Sequence, residues 1–119
     1  MGLDITFVKI KRRDLGYFRK VNFLVGFFER HGMSRDFGRW WVEIELASEL
    51  LDACQQVLED HSKATELLPA TEGFFYGSYE YNDQYFNDVL RVKEFCENTL
   101  IPQIESLDDD EAIEFNMSW

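Results

Sequence analysis

A chain of 119 residues is one domain's length, enough to bury roughly 65 % of the surface its unfolded form exposes, so no disulfide is required. With 45 % hydrophobic and 16 % aromatic residues, the composition excludes disorder for most of the chain even though 29 % of residues are charged. The net charge of −11 disfavours direct binding of a nucleic-acid duplex, and it is unevenly spread: residues 1–40 hold nine Lys/Arg against four Asp/Glu, residues 41–119 three against nineteen. The basic N-terminal third is expected to lie against acidic helices and lower their self-repulsion.

In chain order, Leu3, Ile5 and Phe7 alternate with Asp4, Thr6 and Val8, which predicts a strand to about Ile10, ended in solvent by Lys11, Arg12 and Arg13. Asp14 reads as the N-cap of a first helix with Tyr17, Phe18, Val21, Leu24, Val25 and Phe28 on one stripe, stopping at Gly32. Phe23 and Phe27 fall off that stripe. Residues 32–39 form a turn-rich connector. The alternation of Trp40-Trp41-Val42-Glu43-Ile44-Glu45 predicts a second strand with an acidic outer face and one indole on each side. A second helix is expected from about Ala47 to Asp60, with Leu50, Leu51, Cys54, Val57 and Leu58 as its core stripe.

The stretch Leu67–Phe86 concentrates Phe74, Phe75, Tyr76, Tyr79, Tyr81, Tyr85 and Phe86 around Gly73 and Gly77, and reads as a loop leading into a third helix capped by Asn82. That helix carries Tyr85, Phe86, Val89, Val92, Cys96 and Leu100 inward and should end or kink near Leu100, ahead of Pro102. Residues 112–119 alternate as a third strand. The expected architecture is one domain, 1–119, of class α+β: two layers in the order βαβααβ, with a small three-stranded sheet covered by three helices.

The sequence offers little chemistry. Gly73-Phe74-Phe75-Tyr76-Gly77 lacks the lysine and hydroxyl of a phosphate loop, and no cofactor is expected. His31 and His61 lack the spacing of a ligand pair, and residues 107–111 lack the turn glycine of a calcium loop, so no metal is expected either. Cys54 and Cys96 fall on apolar helix faces and read as buried free thiols. No catalytic residue stands out. No run approaches the roughly 18 apolar residues of a membrane span, and no charged leader precedes an apolar core, so a cytoplasmic protein without membrane contact is expected. The opening MGLDIT matches a myristoylation pattern, but the same residues alternate as a strand, which is the preferred reading.

The most specific constellation sets Arg19, Lys20 and Asn22 of the first helix against Glu72, Glu80, Tyr81, Asp83 and Tyr85. If that helix packs on the aromatic loop, tyrosine hydroxyls and opposed charges meet in a pocket; the plainer reading pairs Arg19 and Lys20 with the acids at the surface.

The opening MGLD, the segment FRKVNFLVGFF, the loop LLPATEGFFYGSYEYNDQYF and the ending FNMSW resemble a group of small, functionally uncharacterised bacteriophage and prophage proteins, whose loop reads LP-T-GFF-GS-EYD and whose last strand closes in Ser-Trp. The resemblance spans most of the chain, departs from the pattern at Ala70, Asn82 and Met117, and implies a phage-linked protein of the bacterial host cytoplasm without implying an activity. The leading expectation is a non-enzymatic accessory protein that binds a host protein, with Phe74, Phe75, Tyr76 and the first helix as contact surface. An enzyme with a polar substrate between Arg19, Asn22, Tyr81 and Asp83 is the first alternative. An acidic nucleic-acid mimic that inhibits a host protein is the second. A homodimer through Phe23 and Phe27 is expected because one helical layer leaves both rings uncovered.

Overall fold

The computed structural model describes residues 2–10, 13–73 and 77–118, with the side chains of Ile10 and Arg13 left aside. The chain is α+β. A four-stranded antiparallel sheet is formed by β1 (Asp4–Ile10), β2 (Arg13–Arg19), β3 (Arg39–Trp41) and β4 (Ala112–Ser118), in spatial order β2-β1-β4-β3. Between them lie α1 (Phe23–Arg30), α2 (Ile44–Glu59), the single turn α3 (Ala64–Leu67), α4 (Asp83–Phe95) and α5 (Ile101–Glu105). The expected order of three strands and three helices is corrected to ββαβαααα β, with the last helices running nearly end to end.

The main correction is at residues 13–22. Asp14 does not cap a helix; the chain turns back as β2 and pairs with β1 from Asp4↔Arg19 to Lys9↔Arg13, with a bulge that leaves Leu15 extra opposite Phe7 and Val8. A helix from Asp14 would carry Gly16 in its interior and expose Phe23 and Phe27, whereas β2 covers one edge of β1 and places Phe18 opposite Ile5 on the core face. Gly16 is required there for space. A Cβ at this position would lie 2.5 Å from the Phe95 ring, which is itself packed 4.9 Å from Phe7 and 5.3 Å from Phe18.

The first helix is consequently only Phe23–Arg30. Phe23, Leu24, Val25, Phe27 and Phe28 are all buried and cover a wide apolar arc, which leaves Gly26, Glu29 and Arg30 on the remaining face. Phe28 stacks on Phe115 of the sheet at 3.9 Å, and on the opposite side Phe23 meets Tyr85 of α4 at 5.5 Å. With Phe23 only 2 % and Phe27 3 % exposed, neither ring is available for the two-fold interface expected of them.

Two smaller departures have local causes. The second strand stops at Trp41 rather than Glu45, because Val42 turns inward, its N–H donating to Ile113 O at 2.9 Å, and α2 begins at Ile44 with Glu45 in its favourable first turn. Pro102 neither ends nor starts the last helix outright: the chain widens into a π turn over Cys96–Leu100, which absorbs the missing proline donor, and continues as α5 to Glu105. No helix among the described residues is long and apolar enough to cross a membrane.

The helices cover one face of the sheet, where Leu3, Ile5, Phe7, Phe18, Ile113, Phe115 and Met117 are buried. The other face carries Asp4, Thr6, Asp14, Tyr17, Glu114 and Asn116, with Tyr17 Oη donating to Asp4 Oδ1 at 2.5 Å. That contact, ahead of the smaller effect of burial, raises the Tyr17 pKa above its ordinary value. Substituting Gly16 separates the observed strand from a helical reading. In an exposed helix Gly16→Ala would stabilise by about 1 kcal/mol, but here the added methyl meets Phe95 and the expected result is a loss of roughly 1–3 kcal/mol, read as a lower midpoint of urea unfolding.

Candidate functional site

The loop between α3 and α4 is fastened to α1 by a set of hydrogen bonds whose centre is Asn22. This side chain is the one polar group in the core of the described residues, 5 % exposed. Its Oδ1 accepts from Thr71 N–H at 3.1 Å and its Nδ2 donates to Ser78 O at 2.9 Å, so one amide holds both limbs of the loop. Thr71 in turn accepts from Gly26 N–H through Oγ1 at 3.0 Å, and a Cβ on Gly26 would sit 2.6 Å from that oxygen. Further along, Arg30 donates to Leu67 O at 2.8 Å, Tyr85 Oη to Leu68 O at 2.7 Å, and Ala70 N–H to Tyr81 Oη at 3.0 Å. Arg35 grips both Glu29 oxygens, at 3.0 and 2.6 Å, and also donates to Glu72 O at 2.9 Å.

Beside these fastenings lies a hollow of about 390 Å³ lined by Arg19, Lys20, Asn22, Phe23, Ser78, Glu80, Asn82, Gln84, Tyr85 and Asp88, with Val21 and Gly77. Arg19 ends β2, and Lys20 makes the corner before α1 with φ of +59°, a left-handed conformation that costs a residue with a side chain about 1 kcal/mol or more. The corner is held by Lys20 N–H donating to Leu3 O at 2.8 Å. Gly77 faces it with φ of +94°, and a Cβ there would lie 3.1 Å from Lys20 Cβ. Neither Arg19 nor Lys20 makes an ion pair among the described residues, so the plainer expectation, surface pairing with the loop acids, does not describe them.

The structure therefore brings together Arg19, Lys20, Asn22 and Tyr85, and it sets Tyr81 and Asp83 apart from Arg19 and Lys20, although the Tyr81 ring stays 4.9 Å from that of Tyr85. Those two line a neighbouring hollow of about 380 Å³ with Leu58, His61, Phe86 and Leu90, while Asn82 stands between the two and caps α4, accepting from Tyr85 N–H at 3.1 Å. The polar site expected from Arg19, Asn22, Tyr81 and Asp83 is thus split over two surfaces. Phe74, Phe75 and Tyr76 lie outside the described residues. Tyr85 serves the scaffold: burial first, then the neighbouring Tyr81 and Cys54, push its phenol well above its ordinary range, and its hydroxyl is committed to Leu68. The thiols are equally closed off, since burial drives Cys54 strongly upward and Cys96 to about 12.

Gln84 and Asp88 belong to the hollow and are absent from the sequence-derived site. Their spacing is a legible signal, because residues four apart beyond an Asn cap share one helical face. Asp88 is 14 % exposed at its side chain; burial raises its carboxyl above the ordinary value despite hydrogen bonds from Gln84 Nε2 at 3.0 Å and Arg91 Nη1 at 3.1 Å. No group of three or more potential metal ligands occurs among the described residues. No protein-family model matches the chain, nor does any curated protein or solved structure at a significant level.

Two measurements test this arrangement. Asn22→Ala leaves Thr71 N–H and Ser78 O without their partner, so a loss of about 2 kcal/mol is expected, with faster proteolytic cleavage confined to residues 69–81. Asp88 gives a pH dependence of unusual sign. A raised folded-state pKa means that the folded chain keeps the proton longer than the unfolded one, so the Asp88 contribution is best below the ordinary Asp range of about 3.9 and falls as pH rises through the folded value. Asp88→Asn should accordingly gain stability relative to the parent on going from about pH 3 to pH 7, as read from paired urea midpoints.

Proposed function

We propose that this is a phage- or prophage-type accessory protein of the bacterial cytoplasm that works by binding rather than by catalysis, using the rim of the Arg19–Lys20 hollow to take an acidic group of a host protein. One observation carries the reading. In a chain of net charge −11, two adjacent cations stand at one rim without an ion pair among the described residues, in a hollow that Ser78, Glu80 and Asp88 also line. The guanidinium, the ammonium and the Ser78 hydroxyl are the donors that a carboxylate would use there.

The remaining groups favour binding over turnover. Ser78 Oγ accepts from Glu80 N–H at 3.0 Å, Tyr85 is committed to Leu68, and no histidine is among the hollow's lining residues. Exposed Tyr79 and Tyr81 flank the rim on the same loop and extend the surface available to a partner. The left-handed corner at Lys20 is the price of holding both cations on one side of the sheet edge.

The reading is tested by thermal shift and titration with an acetylated Glu-rich peptide, inorganic phosphate and nucleotides as probes. The peptide is expected to raise the melting temperature, by the equivalent of about 2.7 kcal/mol at a hundredfold excess over Kd, and Arg19→Gln/Lys20→Gln should abolish that rise without lowering the melting temperature of the free protein. Stabilisation by nucleotide or phosphate alone, or a peptide response unchanged in the double variant, would defeat it.

A further inference from the structure

At the opposite edge of the sheet β3 is flanked by a second cleft, of about 330 Å³, lined by His31, Trp40, Trp41, Glu43, Glu45, Leu46 and Glu49. Trp40 and Trp41 leave opposite sides of the strand, paired with Phe115 and Glu114 respectively, yet both border this cleft at the sheet edge. They are 36 % and 55 % exposed. Trp40 is held in place from behind: Gly32 has φ of +114°, and a Cβ there would lie 3.1 Å from two atoms of the indole, so the ring rests on bare backbone. One wall of the cleft is therefore formed before anything binds.

The other wall carries charge. Glu43 and Glu45 are exposed at the start of α2 and form no ion pair among the described residues, while Glu49 contacts His31 Nε2 at 2.5 Å. No Lys or Arg lines the cleft. Two indoles and two uncompensated carboxylates around one cavity form a complement for a cation with a flat, weakly hydrated face, which indole rings attract and carboxylates pair in bidentate fashion. Phe37, in the connector leading to β3, is 81 % exposed. Three large aromatics exposed within residues 37–41 are more than a small free cation covers, and suit the surface of a polypeptide.

We propose that the Trp40–Trp41 cleft is a docking site for an arginine side chain on a basic segment of a partner protein, with the guanidinium against the indoles and paired to Glu43 and Glu45. The site is independent of the Arg19–Lys20 rim in position and opposite in charge. The full chain is titrated with acetylated, amidated Gly-Arg-Gly-Arg-Gly and with its lysine and glutamate counterparts, following the indole N–H resonances. Shifts of the Trp40 and Trp41 signals are expected with the arginine peptide, weaker ones with lysine and none with glutamate. Glu43→Gln/Glu45→Gln should weaken binding about tenfold and Trp41→Ala comparably, while the amide spectra of both variants remain those of a folded chain. Equal binding of the lysine and arginine peptides, tighter binding of choline than of either, or an affinity untouched in both variants would overturn the assignment.

Discussion

The rest of this fold depends on a short helix with an unusually wide apolar arc. The segment Phe23–Arg30 buries five of its eight residues, and a helix of that composition is stable only if the arc is covered from several directions. The sheet supplies the floor through Phe115 and Phe7, α4 supplies a wall through Tyr85, and the loop after α3 closes the remaining side. Fully burying a phenylalanine is worth about 1.5–3 kcal/mol, so Phe23, Phe27 and Phe28 together outweigh any single loop hydrogen bond. Hydrogen bonds then decide where the roof sits. A loop over an apolar helix brings its own peptide groups, and Asn22 and Thr71 are the side chains that satisfy them.

That division explains why the described ends of the aromatic loop serve as scaffold. Leu68 is fully buried, Tyr85 nearly so, and Tyr81 Oη is spent on the Ala70 amide. Among the described residues, Glu72 and the stretch from Gly77 to Gln84 reach solvent, the latter beside Arg19 and Lys20. The hollow is a by-product of fastening: because Asn22 draws Thr71 and Ser78 toward the start of α1, the chain between Lys20 and Gln84 is left with a concave seam.

The sheet's two central strands, β1 and β4, the buried stripe of α2 and the cap at Asn82 were legible in the sequence because each rests on local periodicity or one capping side chain. Leu3, Ile5 and Phe7 alternate, and so do Ile113, Phe115 and Met117, and all six are buried. Residues 13–22 were not legible for a definite reason. Tyr17, Phe18 and Val21 fit a helical stripe as well as a strand, and what separates the two is tertiary: the need to cover β1 and the Phe95 ring standing over Gly16. Phe23 and Phe27 carried the correcting signal. Two large rings off a helix's stripe mean either a partner molecule or a helix buried all round, and the second makes the first unnecessary. In the candidate site, Arg19, Lys20 and Asn22 were recognisable as a polar group beside aromatics, whereas the parting of Tyr81 and Asp83 from them depends on how α4 is rotated by the Asn82 cap.

Among the described residues, few ion pairs join the basic third of the chain to its acidic part. Lys9 reaches Glu111 at 3.3 Å and Arg39 approaches Glu114 at 3.9 Å, but Arg35 pairs within its own third, with Glu29, and the α4 pairs Arg91–Asp88 and Lys93–Glu97 use cations of the acidic part. Arg19, Lys20, Glu43 and Glu45 are all exposed, where an ion pair contributes only about 0–1 kcal/mol, so forming none among the described residues costs the fold little. The same residues act differently on an approaching molecule. Their fields reach about 8 Å at physiological salt. The Arg19–Lys20 rim shares its hollow with Glu80 and Asp88, whereas the cleft beside Glu43 and Glu45 has no Lys or Arg in its lining, so the two edges of the sheet differ in local charge.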